Sequence, residues 1–535
     1  MAFQATAVQT SEGVEPMRRV QCNRRRLVCH EWRVATASFA ARRTPHSALR
    51  ASVDRPHPSA PAERQDGPRP GRADGGDQGL PRARRIFHRS KVATVLEAPT
   101  APLPALGGLA RSAAFPPCFG EEEEPAMTTT QQQTVSAIRP FHVKVPDEAL
   151  ADLRRRLAAT RWPSGELVDD RSQGVQLAVL QALARYWAND YDLRRVEARL
   201  NALPQFTTDI DGVHIHFIHV RSEHDDALPL IMTHGWPGSV IELLDSCGPL
   251  TDPTAHGGSA EDAFHAVLPS HPGYGFSGEP TELSWDLGRV ARAWAELMNR
   301  LGYDSYVAQG GDVGAGVTDA MGRQAPEGLL GIHTNLLVPA LGDVASLPTN
   351  TDEERAALDA IKTFQATGNG YFVEQATRPQ TIGYALLDSP VALAAWMLDH
   401  DTDAYYKIAH AFVDGQPSGN LTRDQILDNI TLYWLTGTGA SAARSYWEDY
   451  GPDAPGAGQQ PPPPPPVPVG FTTFPGEIWR TPRSWAETCY PTLSYFSEAE
   501  RGGHFAAWEE PELFAAELRA AFHPLRQPQV PEPRR

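Results

Sequence analysis

Between residues 228 and 333, short apolar runs alternate with amphipathic stretches, and this alternation restricts the fold more than any other feature of the chain. Residues 228–233, 264–268, 306–309 and 329–333 read as buried strands, with helical spacing at 240–247, 285–301 and 315–324 between them. Strands joined by helices form a mostly parallel sheet covered on both faces, so the fold class is α/β. Upstream, residues 206–210 and 213–220 flank Asp211-Gly212, a pair suited to a hairpin turn. Before that lie a helix opening at Asp147, with Leu150, Leu153 and Leu157 on one face and Trp162-Pro163 ending it, and a second amphipathic stretch over 175–203.

Residues 340–450 interrupt the alternation with helix-prone, aromatic-containing sequence such as 392–398 and 426–436, which reads as a helical cap inserted between sheet strands. Six prolines at 461–466 favour extended polyproline geometry and cannot donate to a ladder, so this stretch reads as a stiff connector. Residues 467–474 then read as a returning strand. The expected organisation is an extension at 1–126, an N-terminal domain at 127–225, a core at 226–340, cap and connector at 341–465, and the rest of the core at 466–535.

The extension is rich in Arg, Pro and Ala, contains one lysine, Lys91, and shows no periodicity that would bury a face, so disorder is expected. Gly120 and Glu121 to Glu124 require purine-rich codons just ahead of Met127, where a bacterial ribosome-binding sequence would lie. Translation from Met127 is therefore expected, and peptides from 1–126 in protein from the native source would contradict it. Residues 1–126 carry a formal charge of +6 and the remainder -23. An acidic body of that size opposes binding to nucleic acid or anionic lipid and points to a small neutral partner. The five cysteines form no CxxC pair, which argues against a disulfide framework or zinc site and fits a reducing cytoplasm. No apolar run is long enough for a membrane anchor.

The chemistry concentrates in three segments. In Gly310-Gly311-Asp312-Val313-Gly314, a strand passes through small residues into a helix. Small residues two before and two after a nucleophile relieve crowding at a strained elbow, and Gly310 and Gly314 hold those places around Asp312. A carboxylate there attacks a saturated carbon by displacement and leaves an alkyl ester for water to open. A dinucleotide loop is the competing reading, but G-x-G-x-x-G is absent. In His234-Gly235-Trp236-Pro237-Gly238, glycines admit the backbone to the reacting centre, and the N–H groups of Trp236 and Val313 would form a two-donor oxyanion hole. His234 reads as support rather than base. In Arg501-Gly502-Gly503-His504, a histidine on a flexible loop could activate water, oriented by Glu477 in Phe474-Pro475-Gly476-Glu477. Nucleophile, acid and histidine follow the chain order of the α/β-hydrolases.

Together with Arg139-Pro140-Phe141 and Val145-Pro146-Asp147, these motifs resemble the microsomal-type epoxide hydrolases over essentially all the chain after residue 138. The resemblance implies an α/β-hydrolase fold with a mostly parallel sheet, an inserted helical cap and an N-terminal extension domain. It implies conversion of a small hydrophobic epoxide and water to a vicinal diol, with no cofactor and no metal, and a part in catabolism of aromatic hydrocarbons or in detoxification. Two cap tyrosines hold and protonate the epoxide oxygen in that family; Tyr371, in Gly370-Tyr371-Phe372, and Tyr446, in Ser445-Tyr446-Trp447, match them. A homodimer is compatible with the resemblance. Two alternatives stand beside it: a haloalkane dehalogenase, which shares the aspartate and histidine, and a catalytically silent hydrolase-like binding protein. His214, His216 and His219 lie on one hairpin, but His219 points to the opposite face, which disfavours a metal site.

Overall fold

The computed structural model describes residues 137–342, 344–400, 402–414, 420–452, 454 and 463–526. The extension 1–126 and the first part of the proline run lie outside the described residues. Nine strands form one sheet in the order β1-β2-β3-β5-β4-β6-β7-β8-β9. They are β1 (Arg139–Pro140), β2 (Gln205–Ile210), β3 (Val213–Val220), β4 (Leu228–Thr233), β5 (Phe264–Pro269), β6 (Tyr306–Gly310), β7 (Leu329–Thr334), β8 (Val469–Thr473) and β9 (Leu493–Glu498). The pairs from β1 to β5 through β2 and β3 are antiparallel, and every pair from β5 to β9 is parallel.

The hairpin turn forms because Asp211 and Gly212 both take positive φ, 49° and 79°, as the twist of a two-residue turn demands. Along β4 the side chains alternate between two cores. Leu230 and Met232 join the core under the cap and N-terminal helices, whereas Ile231 packs with Val290, Trp294 and Leu297 on the other face. The helix behind those residues runs Leu287–Arg300, two residues shorter at its start than the spacing suggests. Asp286 caps its N-terminus by accepting the Arg289 N–H at 2.8 Å.

The stretch over 175–203 is two helices, Leu177–Asn189 and Leu193–Asn201, because Asp192 caps the second by accepting the Arg194 N–H. The helical reading of 240–247 also breaks up: a single turn, Val240–Leu243, passes through a 3-10 turn at Leu244–Ser246 into Cys247–Thr251.

Cap helices Gly370–Thr377, Pro379–Asp388, Pro390–Leu398, Thr402–Val413, Arg423–Thr436 and Gly439–Tyr450 stand between β7 and β8. Polar contacts tie the helix Arg423–Thr436 to both neighbours. Tyr191 of the N-terminal domain donates to Asp428 at 2.9 Å, and the Trp187 indole donates to Thr431 at 2.9 Å. On the core side, Asn429 donates to the Pro237 carbonyl at 2.7 Å, and the Tyr433 hydroxyl donates to that of Gly238 at 2.5 Å. These bonds fix the cap over the loop that follows β4.

Candidate active site

The turn after β6 places Asp312 at the carboxyl end of the parallel strands, where its backbone takes φ 51° and ψ -125°. A non-glycine residue so placed costs roughly 1–3 kcal/mol, held by the surrounding structure. Crowding explains the flanking glycines. A Cβ on Gly310 would lie 2.0 Å from the Gly314 carbonyl oxygen, and one on Gly314 would lie 1.9 Å from that of Thr233. Gly235 is as constrained, since its Cβ would meet Asp312 Oδ1 at 2.2 Å.

That bare approach lets the Trp236 N–H donate to Asp312 Oδ1 at 2.8 Å. The second oxygen, Oδ2, faces His504 Nε2 at 3.4 Å. The other imidazole nitrogen, Nδ1, lies 2.6 Å from Glu477 Oε1. Glu477 follows β8, and its loop is aligned with the histidine loop by a bridge between Gly476 and Gly503 and by the Gly476 N–H donating to the Gly502 carbonyl at 3.0 Å. Glu509 braces the same loop by accepting the Phe505 N–H at 3.1 Å. All three ionisable groups are largely shielded from solvent, so each interaction acts in a medium of low polarity.

Burial pushes the Asp312 carboxyl up, but the hydrogen bond and charge of His504, with the Val313 N–H, outweigh it and hold it below the ordinary carboxylate value. His504 is raised well above the ordinary imidazole value: burial opposes its charge, and the Glu477 and Asp312 carboxylates more than compensate. The free site therefore favours a carboxylate and imidazolium pair.

Tyr371 and Tyr446, from different cap helices, come together with ring centroids 6.2 Å apart. Both are buried, and burial followed by the Asp312 charge raises the Tyr446 phenol far above its ordinary value, so it keeps its proton. His234 accepts the His271 N–H at 3.2 Å, and burial depresses it to about 4, which suits a neutral support. The hairpin histidines part company: His214 meets Asp209, His216 meets Ser270 and Gln205, and His219 meets Tyr303.

Two residues of the site were missed by reasoning from sequence. His400, in the cap, stands 3.9 Å from Asp312 Oδ2 and packs at a tilt against both Tyr371 and His504, with ring centroids 4.6 and 4.8 Å away. Burial, then the charge of His504, lowers it to about 3. Asp312, His400 and His504 offer ligand atoms within 4.8 Å of one another, a set that could hold a metal ion. The other is Glu242, which lines the cavity beside Asp312 and His504. Neither residue sits in a local pattern that announces it, because each reaches the site through long-range packing.

Residues 138–243 match the family model described as the epoxide hydrolase N terminus. A putative epoxide hydrolase of Stigmatella aurantiaca is 53% identical over 395 residues, covering 73% of this chain and 86% of that protein. Epoxide hydrolase 1 of Sus scrofa is 36% identical over 410 residues, covering 73% and 90%. Among solved structures, juvenile hormone epoxide hydrolase from the silkworm Bombyx mori superposes with a TM-score of 0.64 at 29% identity, covering 74% of this chain and 96% of that one. Aspergillus niger epoxide hydrolase does so at 0.61 with 32% identity, covering 74% and 98%. The fold is that of the α/β-hydrolases, and the chain belongs to the epoxide hydrolase family, as an enzyme that adds water to epoxides.

Proposed function

We propose that the reaction runs through an ester on Asp312. Its Oδ2 attacks one epoxide carbon while Tyr371 and Tyr446 donate to the oxygen that leaves, which an undissociated phenol is suited to do. Esterification then removes the Asp312 charge. His504 loses one of the two carboxylates that hold its proton; that proton passes through solvent to the phenolate left by ring opening, and His504 becomes a free base still oriented by Glu477. It takes a proton from water, which attacks the ester carbonyl, while the N–H groups of Trp236 and Val313 hold the developing oxyanion. No cofactor or metal takes part in any step.

The single observation that carries this reading is the division of the Asp312 carboxylate, with Oδ1 on a backbone N–H and Oδ2 turned to a histidine that a second carboxylate orients. Mixing enzyme with an excess of styrene oxide, denaturing within milliseconds and measuring intact mass tests it. The expected result is a transient adduct of one epoxide mass on the peptide bearing Asp312; protein that never gains mass during turnover contradicts the ester.

The substrates we propose are small hydrophobic epoxides, in keeping with an aromatic-lined cap and an acidic body, with aromatic hydrocarbon catabolism or detoxification as the setting. A bacterial cytoplasm is the proposed compartment: Cys247 and Cys489 are free thiols, and among the described residues no helix is long and apolar enough to cross a membrane.

A further inference from the structure

We propose that Glu242 is a positioning residue for the hydrolytic half of the reaction, accepting a hydrogen bond from the attacking water while His504 draws on the water's other proton. The inference rests on the Asp312 ester route above.

Glu242 lies in the single turn Val240–Leu243, whose start is fixed by Ser239 accepting the Ile241 N–H. Side chains on a helical turn lean toward its N-terminus, so this carboxyl reaches back over Gly238. The fit is close: a Cβ on Gly238 would lie 1.5 Å from Glu242 Oε2 and 2.6 Å from its Cδ, so any side chain there would displace the carboxyl. Oε2 is fully enclosed and has no hydrogen-bond partner among the described residues. Glu242 lines a cavity together with Gly235, Gln309, Asp312 and His504. A buried polar group left unpaired costs about 1–3 kcal/mol, a cost that a bound water removes.

The position suits the chemistry. Attack on the ester carbonyl needs a lone pair of the water aimed at Cγ, and two acceptors for its protons fix that aim. His504 Nε2 is one: in the free enzyme it faces Asp312 Oδ2 at 3.4 Å, a partner that esterification takes away. Glu242 supplies the second. In the free enzyme, burial, followed by the Asp312 charge and partly offset by His504, pushes Glu242 up to about 8; burial, the largest cause, persists after esterification removes the Asp312 charge and continues to favour the neutral carboxyl. A neutral carboxyl accepts through its carbonyl oxygen and does not compete with His504 for the proton.

The step balances without any change at Glu242. Water oxygen bonds to Cγ, its proton passes to His504 Nε2, and the carbonyl electron pair moves onto the oxygen held by the Trp236 and Val313 N–H groups. Collapse breaks the bond from Cγ to the alkyl oxygen, which takes the proton from His504 to complete the diol, and the water's second proton, left on the new Asp312 carboxyl, passes to His504 to restore the carboxylate and imidazolium pair.

Single turnovers of the full chain with styrene oxide, followed by tryptophan fluorescence and rapid-quench mass measurement, separate the two half-reactions. Glu242→Leu, which removes the acceptor at similar volume, is expected to keep alkylation within about threefold of the parent and to slow ester hydrolysis at least about tenfold. Ester on Asp312 then accumulates. Glu242→Gln keeps a carbonyl acceptor and should hydrolyse within about threefold of the parent. Gly238→Ala, which displaces the carboxyl without altering it, should behave as Glu242→Leu does. Ester hydrolysis at the parental rate in both Glu242→Leu and Gly238→Ala overturns the proposal, as does an equal fall in alkylation and hydrolysis. If His504→Gln accumulates ester and these two variants do not, this proposal alone fails. If none of them forms ester, the route through Asp312 fails and takes the proposal with it.

Discussion

His504 Nε2 faces Asp312 Oδ2 at 3.4 Å, so candidate base and candidate nucleophile stabilise each other's charge until substrate arrives. In the proposed route, alkylation of the aspartate breaks that partnership, so the base is released by the event that creates the ester it must hydrolyse.

Replacing the imidazole should split the reaction at that point. For His504→Gln we expect the alkylation rate to stay within about tenfold of the parent while hydrolysis falls by about 10²–10⁴-fold, the range of a general base. Intact mass should show the enzyme accumulating as the ester. Normal steady-state turnover by this variant would contradict the assignment.

The cap tyrosines should share one task. Tyr371→Phe and Tyr446→Phe each leave partial ring opening, lowered about 10–100-fold, whereas the double variant leaves none that can be measured. Pre-steady-state alkylation by the three variants decides it, and a double variant no slower than either single one would show that only one phenol donates.

The pH dependence follows from the shifted groups. Asp312 sits below the ordinary carboxylate value, so it remains ionised, and alkylation should be level from about pH 7 down to about pH 5. Its contribution to stability is present above the unfolded carboxylate value and is lost as pH falls through the depressed folded value. For His504, raised on folding, the sign reverses: the contribution is complete below the ordinary imidazole value and is lost as pH rises through the raised one. A tenfold fall in the alkylation rate constant by about pH 5 would contradict the depressed carboxylate.

The elbow should tolerate no side chain at Gly314. Gly314→Ala drives a methyl to 1.9 Å from the Thr233 carbonyl oxygen, which is backbone of β4 and cannot turn aside. We expect a loss of at least about 3 kcal/mol, and a Tm lower by more than about 5 °C. Gly342→Ala, with nothing within 4 Å of the added Cβ, is the control and should change stability by less than about 0.5 kcal/mol. Equal Tm values for the two variants would contradict the crowding argument.

Much of the site was legible because its constraints are local. Gly310 and Gly314 are dictated by the turn that Asp312 must make, and Gly235 by the approach of the Trp236 N–H, so spacing alone exposes them. His504 and Glu477 were legible through glycine-rich loops following sheet strands. Glu242 and His400 were not. The first needs the shape of a single helical turn over Gly238, and the second reaches Asp312 only because the cap closes over the core. The break at Asp192 was also hidden, since a side-chain cap within a continuous apolar stripe leaves the periodicity on either side intact. The two-residue strand β1 is too short to show any period at all.

The central claim is that the oxygen added to the epoxide comes from Asp312 and is replaced from water. One turnover in water enriched with oxygen-18, with enzyme in excess over epoxide, tests it most directly. The ester route predicts that the label enters the side chain of Asp312, read by mass in the peptide that contains it, and that the first diol formed carries none. Label in that first diol with none in Asp312 would mean that water attacks the epoxide directly, and the ester account would be wrong.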